Sequence, residues 1–311
     1  MRTRPTLMLA LAMACGPLSG LCEPVSPTVD IVLIEKRQSH IQSGSATTVP
    51  APADPVHQSY PYQFRVAVEG ADLGSLPAAS FTIPASGTGG HPALSYSADN
   101  QSWEYRAGFG TQGALDTAYP NSPSLEAGDY SVTLSSATTS LSLTGDLYPS
   151  TPVVTAIGGN WSDGILYVDA SQPLTLQTSF FAGFNDDGVF AHISLGLYPQ
   201  AGNGFEFESF SESLSTFVPD APHDDSVSHT FAGGDLIAGT TYYVEVEFSR
   251  IVDIASLGEE FPDTMAVAMY TTRTLLTIQT LAAIPEPGTY ALIAGLGVLG
   301  AGLVMRRRIA A

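Results

Sequence analysis

Short stretches in which apolar and polar residues alternate recur along most of the chain. Tyr62-Gln-Phe64-Arg-Val66-Ala-Val68-Glu69 alternates with period two, the pattern of a strand with one face buried. The same reading predicts strands over Thr28 to Ile34, Ser102 to Phe109, Asp129 to Leu134, Leu141 to Leu147, Val153 to Ile157 and Ile165 to Val168. It continues with Leu174 to Phe180, His192 to Leu197, Val227 to Phe231, Thr241 to Ile251 and Met265 to Ile278. Gly, Pro or Asp separates most of these runs, and before the C-terminal tail no stretch shows helical periodicity of comparable quality. The class expected is therefore all-β. Residues 38–59, rich in Ser, Thr, Pro, Ala and Gln, read as a long loop after the first strand.

Composition agrees and removes some functions. With 311 residues and 44% hydrophobic content the chain can bury a sizeable core, which excludes wholesale disorder. Thirty acidic residues against 11 Lys and Arg give a net charge of −19 and exclude nucleic acid or an anionic membrane surface as principal partner. Five of those basic residues lie at the two ends, so residues 23–305 carry a net charge of −24. Solubility outside the cell explains such a charge, and divalent-cation binding is the sharper alternative.

The ends read as addresses. Arg2 and Arg4, the apolar run Leu7 to Ala14 and a small-residue break form a secretory signal peptide over residues 1–22. Its expected cleavage follows Cys22, with a rival site after Ala14. Signal peptidase is the implied partner, and because Cys15 and Cys22 both lie here the mature chain is left without a thiol. At the other end Pro285-Glu286-Pro287-Gly288 precedes an uncharged apolar run and then Arg306, Arg307 and Arg308. A helix over about 289–305 just reaches across a bilayer, and the arginines keep that end cytoplasmic. The segment Gly295 to Gly300 satisfies G-x-G-x-x-G, but no strand precedes it and no acidic residue follows at the needed spacing, so it is no nucleotide site.

Pro285, Glu286 and Pro287, the apolar span and Arg306 to Arg308 together resemble the PEP-CTERM sorting signal over residues 284–311. That resemblance implies recognition and cleavage by a membrane-embedded exosortase. It further implies a membrane-anchored precursor, then a place on the cell surface or in the extracellular matrix of a Gram-negative bacterium that makes exopolysaccharide.

Leu125-Glu-Ala127-Gly128-Asp-Tyr130-Ser-Val132-Thr-Leu134 aligns, with one insertion, on Leu236-Ile-Ala238-Gly239-Thr-Thr-Tyr242-Tyr-Val244-Glu-Val246. Leu236, Gly239, Thr240, Tyr242, Val244 and Val246 resemble the segment of fibronectin type III domains in which a Tyr anchors a corner between two sheets, although Ala238 replaces the usual Pro. The resemblance implies an Ig-like sandwich. With Tyr148-Pro149-Ser150-Thr151-Pro152 as the boundary, two β-sandwich domains are expected, over 24–147 and 148–282, between the signal peptide and a single transmembrane helix. A single larger jelly roll is the rival.

No enzyme signature is present: there is no H-E-x-x-H among the six histidines and no G-x-S-x-G. His223 with Asp224 and Asp225 is the densest His/acid group, in a loop where solvated charge is the default. Asp186 and Asp187 in Asn185-Asp-Asp-Gly188 are the best calcium ligands on offer, competing with a plain β-turn. Trp161, expected in a Gly-Asn-Trp-Ser-Asp-Gly turn, is the candidate glycan-stacking residue. The function expected is that of an exported structural or exopolysaccharide-binding protein, not an enzyme, with no resident cofactor beyond that calcium. The alternatives are an extracellular glycan-active hydrolase, for which 30 acids supply carboxylates but single out no pair, and an inert assembly subunit.

Overall fold

The computed structural model describes residues 27–52, 60–90, 93–98, 101–125, 127–184, 190–199, 210–215 and 225–281. The first part of the chain forms β1 (Thr28–Gln42), β2 (Thr48–Pro50), β3 (Tyr62–Ala71), β4 (Ser80–Thr82), β5 (Ser95–Ser97) and β6 (Ser102–Phe109). A short helix α1 (Gln112–Ala118) follows, then β7 (Tyr130–Leu134) and β8 (Ala137–Leu141). Beyond Tyr148 come β9 (Val154–Ile157), β10 (Gly159–Ser162), β11 (Ile165–Val168), β12 (Leu174–Thr178), β13 (Phe190–Pro199) and β14 (Phe210–Ser215). The last strands are β15 (Ser228–Phe231), β16 (Thr241–Ser256) and β17 (Met265–Thr280). The all-β expectation holds.

One 11-stranded sheet organises the molecule, in the order β14-β13-β16-β17-β1-β3-β6-β5. Strand β17 lies parallel to β1 from Ile31↔Met265 to Ile41↔Leu275. Where β1 ends, β11 takes over the same edge of β17, parallel from Ile165↔Thr277 to Val168↔Thr280. Two three-stranded sheets, β4-β7-β8 and β15-β12-β9, complete the β-structure.

The alternating side chains of the large sheet explain where the cores sit. Val32 and Ile34 of β1, Phe64 and Val66 of β3 and Ala268 and Tyr270 of β17 are buried with Val132, Leu134 and Leu141 of the first small sheet and Leu115 of α1. Val244, Val246 and Phe248 of β16 and Leu276 and Ile278 of β17 are buried with Val154, Leu174 and Leu176 of the second. Both small sheets thus cover the same face of the large one. Strands from both sides of Tyr148, expected to belong to separate sandwiches, share one sheet, because β1 finds its partner in β17 rather than in its own half.

The connection at Tyr148 is fastened to that sheet. Thr272 and Thr274 hydroxyls donate to the carbonyls of Pro149 and Pro152, each at 2.7 Å. At the end of β1 the Gln42 side-chain amide donates to Val154 O, and Val154 N–H donates back to Gln42 Oε1, both at 2.8 Å. A buried amide satisfied on both its ends fixes β9 against β1.

Three other expectations are corrected. Strand β1 runs on to Gln42, so the loop expected over 38–59 starts later and contains β2. The strand expected over Leu141 to Leu147 lies earlier, at β8, since Ser135 with φ +57° closes a tight hairpin with β7. Helix α1 stands where no helix was expected; Thr111 caps it by accepting from Ala114 N–H at 3.2 Å, and its buried Leu115 and Ala118 hold it on the core.

The two aligned segments share local geometry but not surroundings. Gly128 and Gly239 both have positive φ, and Tyr130 and Tyr242 are both fully buried at the start of a strand. Ile237 N–H donates to the Tyr242 hydroxyl at 2.8 Å, the corner bond that the fibronectin-like segment implies. Tyr130 instead donates to Pro120 O at 2.6 Å. Its strand lies in a small sheet, whereas β16 is central to the large one.

Candidate functional site

The six basic residues outside the two ends are Lys36, Arg37, Arg65, Arg106, Arg250 and Arg273, and all six lie on the large sheet. Register places Glu35, Arg37 and Ser39 of β1 on the face away from the two cores, with Glu35 opposite Arg65 of β3, and Ser39 opposite Arg273 of β17. Arg273 in turn faces Glu247 of β16, and Arg65 faces Arg106 of β6. A row of charges of both signs therefore crosses five strands.

The contacts are close. Arg106 Nη2 lies 2.7 Å from Glu104 Oε1, and Arg65 contacts Glu104 at 2.5 Å and Glu69 at 2.8 Å. Arg37 donates to both Glu35 oxygens, at 3.1 and 3.2 Å, and reaches Glu247 Oε1 at 2.9 Å. Arg273 lies 3.6 Å from Glu245 and donates to Ser39 Oγ. The Glu35 side chain is fully buried, and those of Arg37 and Arg65 are 9% and 14% exposed, so these ions interact in a medium less polarisable than water. Burial opposes charge on Arg37, but Glu247, Glu35 and Glu245 outweigh it and hold the guanidinium above its ordinary range. Burial likewise opposes ionisation of Glu104, yet Arg65 and Arg106 hold its carboxyl below the usual carboxylate range. Each of these arginines is already engaged by a carboxylate, so the row braces the strands rather than presenting an anion site.

His192 of β13, on the same face, is pushed below its ordinary range by burial, an effect Glu247 only partly offsets; burial also lowers His40 of β1. A histidine held low binds fewer protons folded than unfolded, so stability is intact above the unfolded value of about 6.5 and declines as pH falls below it. Urea midpoints at pH 8 and pH 5.5 are expected to differ, with less stability at the lower pH, and His192→Gln is expected to shrink the difference. An unchanged difference in the variant refutes the role of His192.

Of the residues singled out from sequence, Trp161 and Asp225 lie among the described residues. Trp161 is not in the turn expected but on β10, paired with Leu166 across a two-residue loop in which Asp163 and Gly164 both have positive φ. It is half-buried and packed against the second core. Asp186 and Asp187, His223 and Asp224, and the sorting residues Pro285 to Pro287 and Arg306 to Arg308 lie outside the described residues, as do the signal peptide and the apolar span 289–305. Among the described residues no group of three or more His, Cys, Asp and Glu side chains is placed to hold a metal ion, and no helix is long and apolar enough to cross a membrane. The charged row escaped the sequence reading, although three consecutive charges, Glu35-Lys36-Arg37, inside a strand pattern were its visible signal.

Comparison with known proteins resolves the tail. The family model of the PEP-CTERM protein-sorting motif matches residues 283–308. The chain carries a PEP-CTERM sorting signal. The motif implies export and makes this an exosortase-sorted extracellular surface protein. No curated protein matches the PEP-CTERM chain. A solved structure described as a Ca2+-stabilized adhesin that helps an Antarctic bacterium reach out and bind ice matches over 81% of this chain and 50% of its own, at 14% identity and a TM-score of 0.16. The chain thus spans half the length of that structure, and at this score the likeness carries no argument about fold or ligand.

Proposed function

We propose that the protein is a non-enzymatic structural or exopolysaccharide-binding component of the cell surface or extracellular matrix, released from a membrane-anchored precursor of a Gram-negative bacterium. The sorting motif at residues 283–308 carries this reading. A signal peptide over 1–22 and a span over about 289–305 supply the export and the anchor it needs, and two sandwich halves built on one sheet supply the ectodomain. Charge supports the same role. All six basic residues of the exported part lie on the large sheet, so the rest of that part is acidic or uncharged.

The test uses protein taken from producing cells. Mass analysis of its C-terminal peptide is expected to show loss of Arg306 to Arg308, and an intact arginine end on surface protein refutes the sorting claim. Titration of the same protein with the cells' own exopolysaccharide, with and without calcium, is expected to give saturable binding and no new reducing ends. Trp161→Ala is expected to weaken it, and dependence on calcium brings Asp186 and Asp187 forward as candidate ligands. Silence in every channel leaves the assembly-subunit role, and new reducing ends establish the hydrolase.

A further inference from the structure

Lys36 is the basic side chain that sits among the core residues of β1. It shares the face of Val32 and Ile34, has Phe64 and Tyr270 as its cross-strand neighbours, and is fully buried. Its amine donates to Asp116 Oδ1 of α1 at 2.6 Å and to Asn121 Oδ1, in the segment after α1, at 2.5 Å. The Tyr270 hydroxyl lies 2.8 Å from the same Asn121 oxygen, and its one proton is shared among that oxygen, Gly145 O at 2.5 Å and Leu143 O at 3.3 Å. The carbonyl carbon of Asn121 is one C=O bond from that oxygen, hence within about 4 Å of the amine.

An amine, a carboxylate and a carboxamide whose oxygen has a hydroxyl within hydrogen-bond reach are the parts of an acyl transfer: nucleophile, proton carrier, electrophile and a donor that can turn to the oxyanion. We propose that Lys36 and Asn121 form an intramolecular isopeptide bond, with Asp116 as catalytic residue and Tyr270 holding the oxyanion. Desolvation lowers the affinity of the Lys36 amine for its proton, which favours the nucleophilic form although Asp116 opposes the shift.

The step balances without a co-reactant. A proton passes from the Lys36 ammonium to Asp116, and the freed lone pair on Nζ attacks Asn121 Cγ while the carbonyl π pair moves onto Oδ1. Asp116 then protonates Nδ2. The carbonyl re-forms, the Cγ–Nδ2 bond breaks, and ammonia departs. It takes the extra proton from the new amide nitrogen and leaves as ammonium. Phe64, opposite Lys36 on β3 and fully buried, shields the amine side of the site from water.

The test is the mass of the full chain, denatured and reduced, and a digest of it. The expected result is a chain lighter by one ammonia and a branched peptide joining the Lys36 and Asn121 segments. Asp116→Ala leaves both reactants in place and changes a side chain that is one-third exposed, so it is expected to fold and to show the full mass with a free Lys36 amine. Wild-type protein of full mass, with the two segments in separate peptides, overturns the proposal. Linkage to Asp116 with loss of water overturns Asn121 as acceptor, and a bond that persists in Asp116→Ala overturns the catalytic role of Asp116.

Discussion

Glu35→Leu is expected to destabilise the protein by about 2–3 kcal/mol, less than the cost of a wholly uncompensated buried charge, because Arg37 keeps Glu247 and Arg65 keeps Glu104 and Glu69. Arg37 donates to both oxygens of Glu35, and Arg65 stands 4.0 Å from one of them. With these side chains at most 14% exposed, water replaces the lost carboxylate poorly, and the remaining carboxylates have to carry the charge. Glu35→Leu combined with Arg37→Met removes both members of the closest pair and is expected to recover much of the loss, since exchanging a buried pair for apolar groups of similar volume is often neutral. Arg106 is the contrast: at 47% exposure its pair with Glu104 belongs to the solvent-screened class, and Arg106→Gln is expected to cost less than about 1 kcal/mol. Urea unfolding of the four proteins measures all of this. A loss below about 1 kcal/mol for Glu35→Leu would show that the row behaves as a surface network.

Phe248→Ala is expected to cost about 3–5 kcal/mol and to lower the unfolding midpoint of both halves together. Phe248 is fully buried in the second core, its ring stacked on Phe181 with centroids 4.9 Å apart. The chain has two tryptophans, and they divide between the cores: Trp103 packs against the first and Trp161 against the second. Trp103→Phe and Trp161→Phe therefore give proteins whose fluorescence reports one core each. Because β17 contributes Ala268 and Tyr270 to the first core and Leu276 and Ile278 to the second, neither core can be lost without freeing a strand of the other. Both reporters are expected to show one midpoint, shifted equally by Phe248→Ala. A first-core signal that ignores the substitution would establish two independently folding halves.

Periodicity made the faces of strands legible but not their partners. Ser102 to Phe109 and Ile165 to Val168 match strands residue for residue. Thr28 to Ile34 stopped short because Glu35, Lys36 and Arg37 interrupt the apolar alternation, and only pairing on both sides of β1 makes those charges tolerable there. The β1–β17 pairing spans most of the chain, and no local pattern announces it. Helix α1 is too short for its period to register, and it owes its existence to the Thr111 cap and two buried contacts. Trp161 looked like a turn residue because Gly, Asn, Ser and Asp surround it, whereas the turn proper is Asp163-Gly164. The tail was legible for a different reason: its meaning lies in the order of a few residues.

The parallel pairing of β1 and β17 also has a mechanical meaning. The N-terminal end of β1 and the C-terminal end of β17 lie at opposite ends of an eleven-residue run of register partners. Tension drawn between Thr28 and Thr280 acts along the strands, so it slides one past the other and loads the whole run in shear. An antiparallel hairpin pulled at its two ends would unzip one bond at a time. Resistance to such a pull is a matter of how fast the structure yields under load rather than of its equilibrium stability. Against a load applied across its two ends, that topology turns the first and last strands into a clamp.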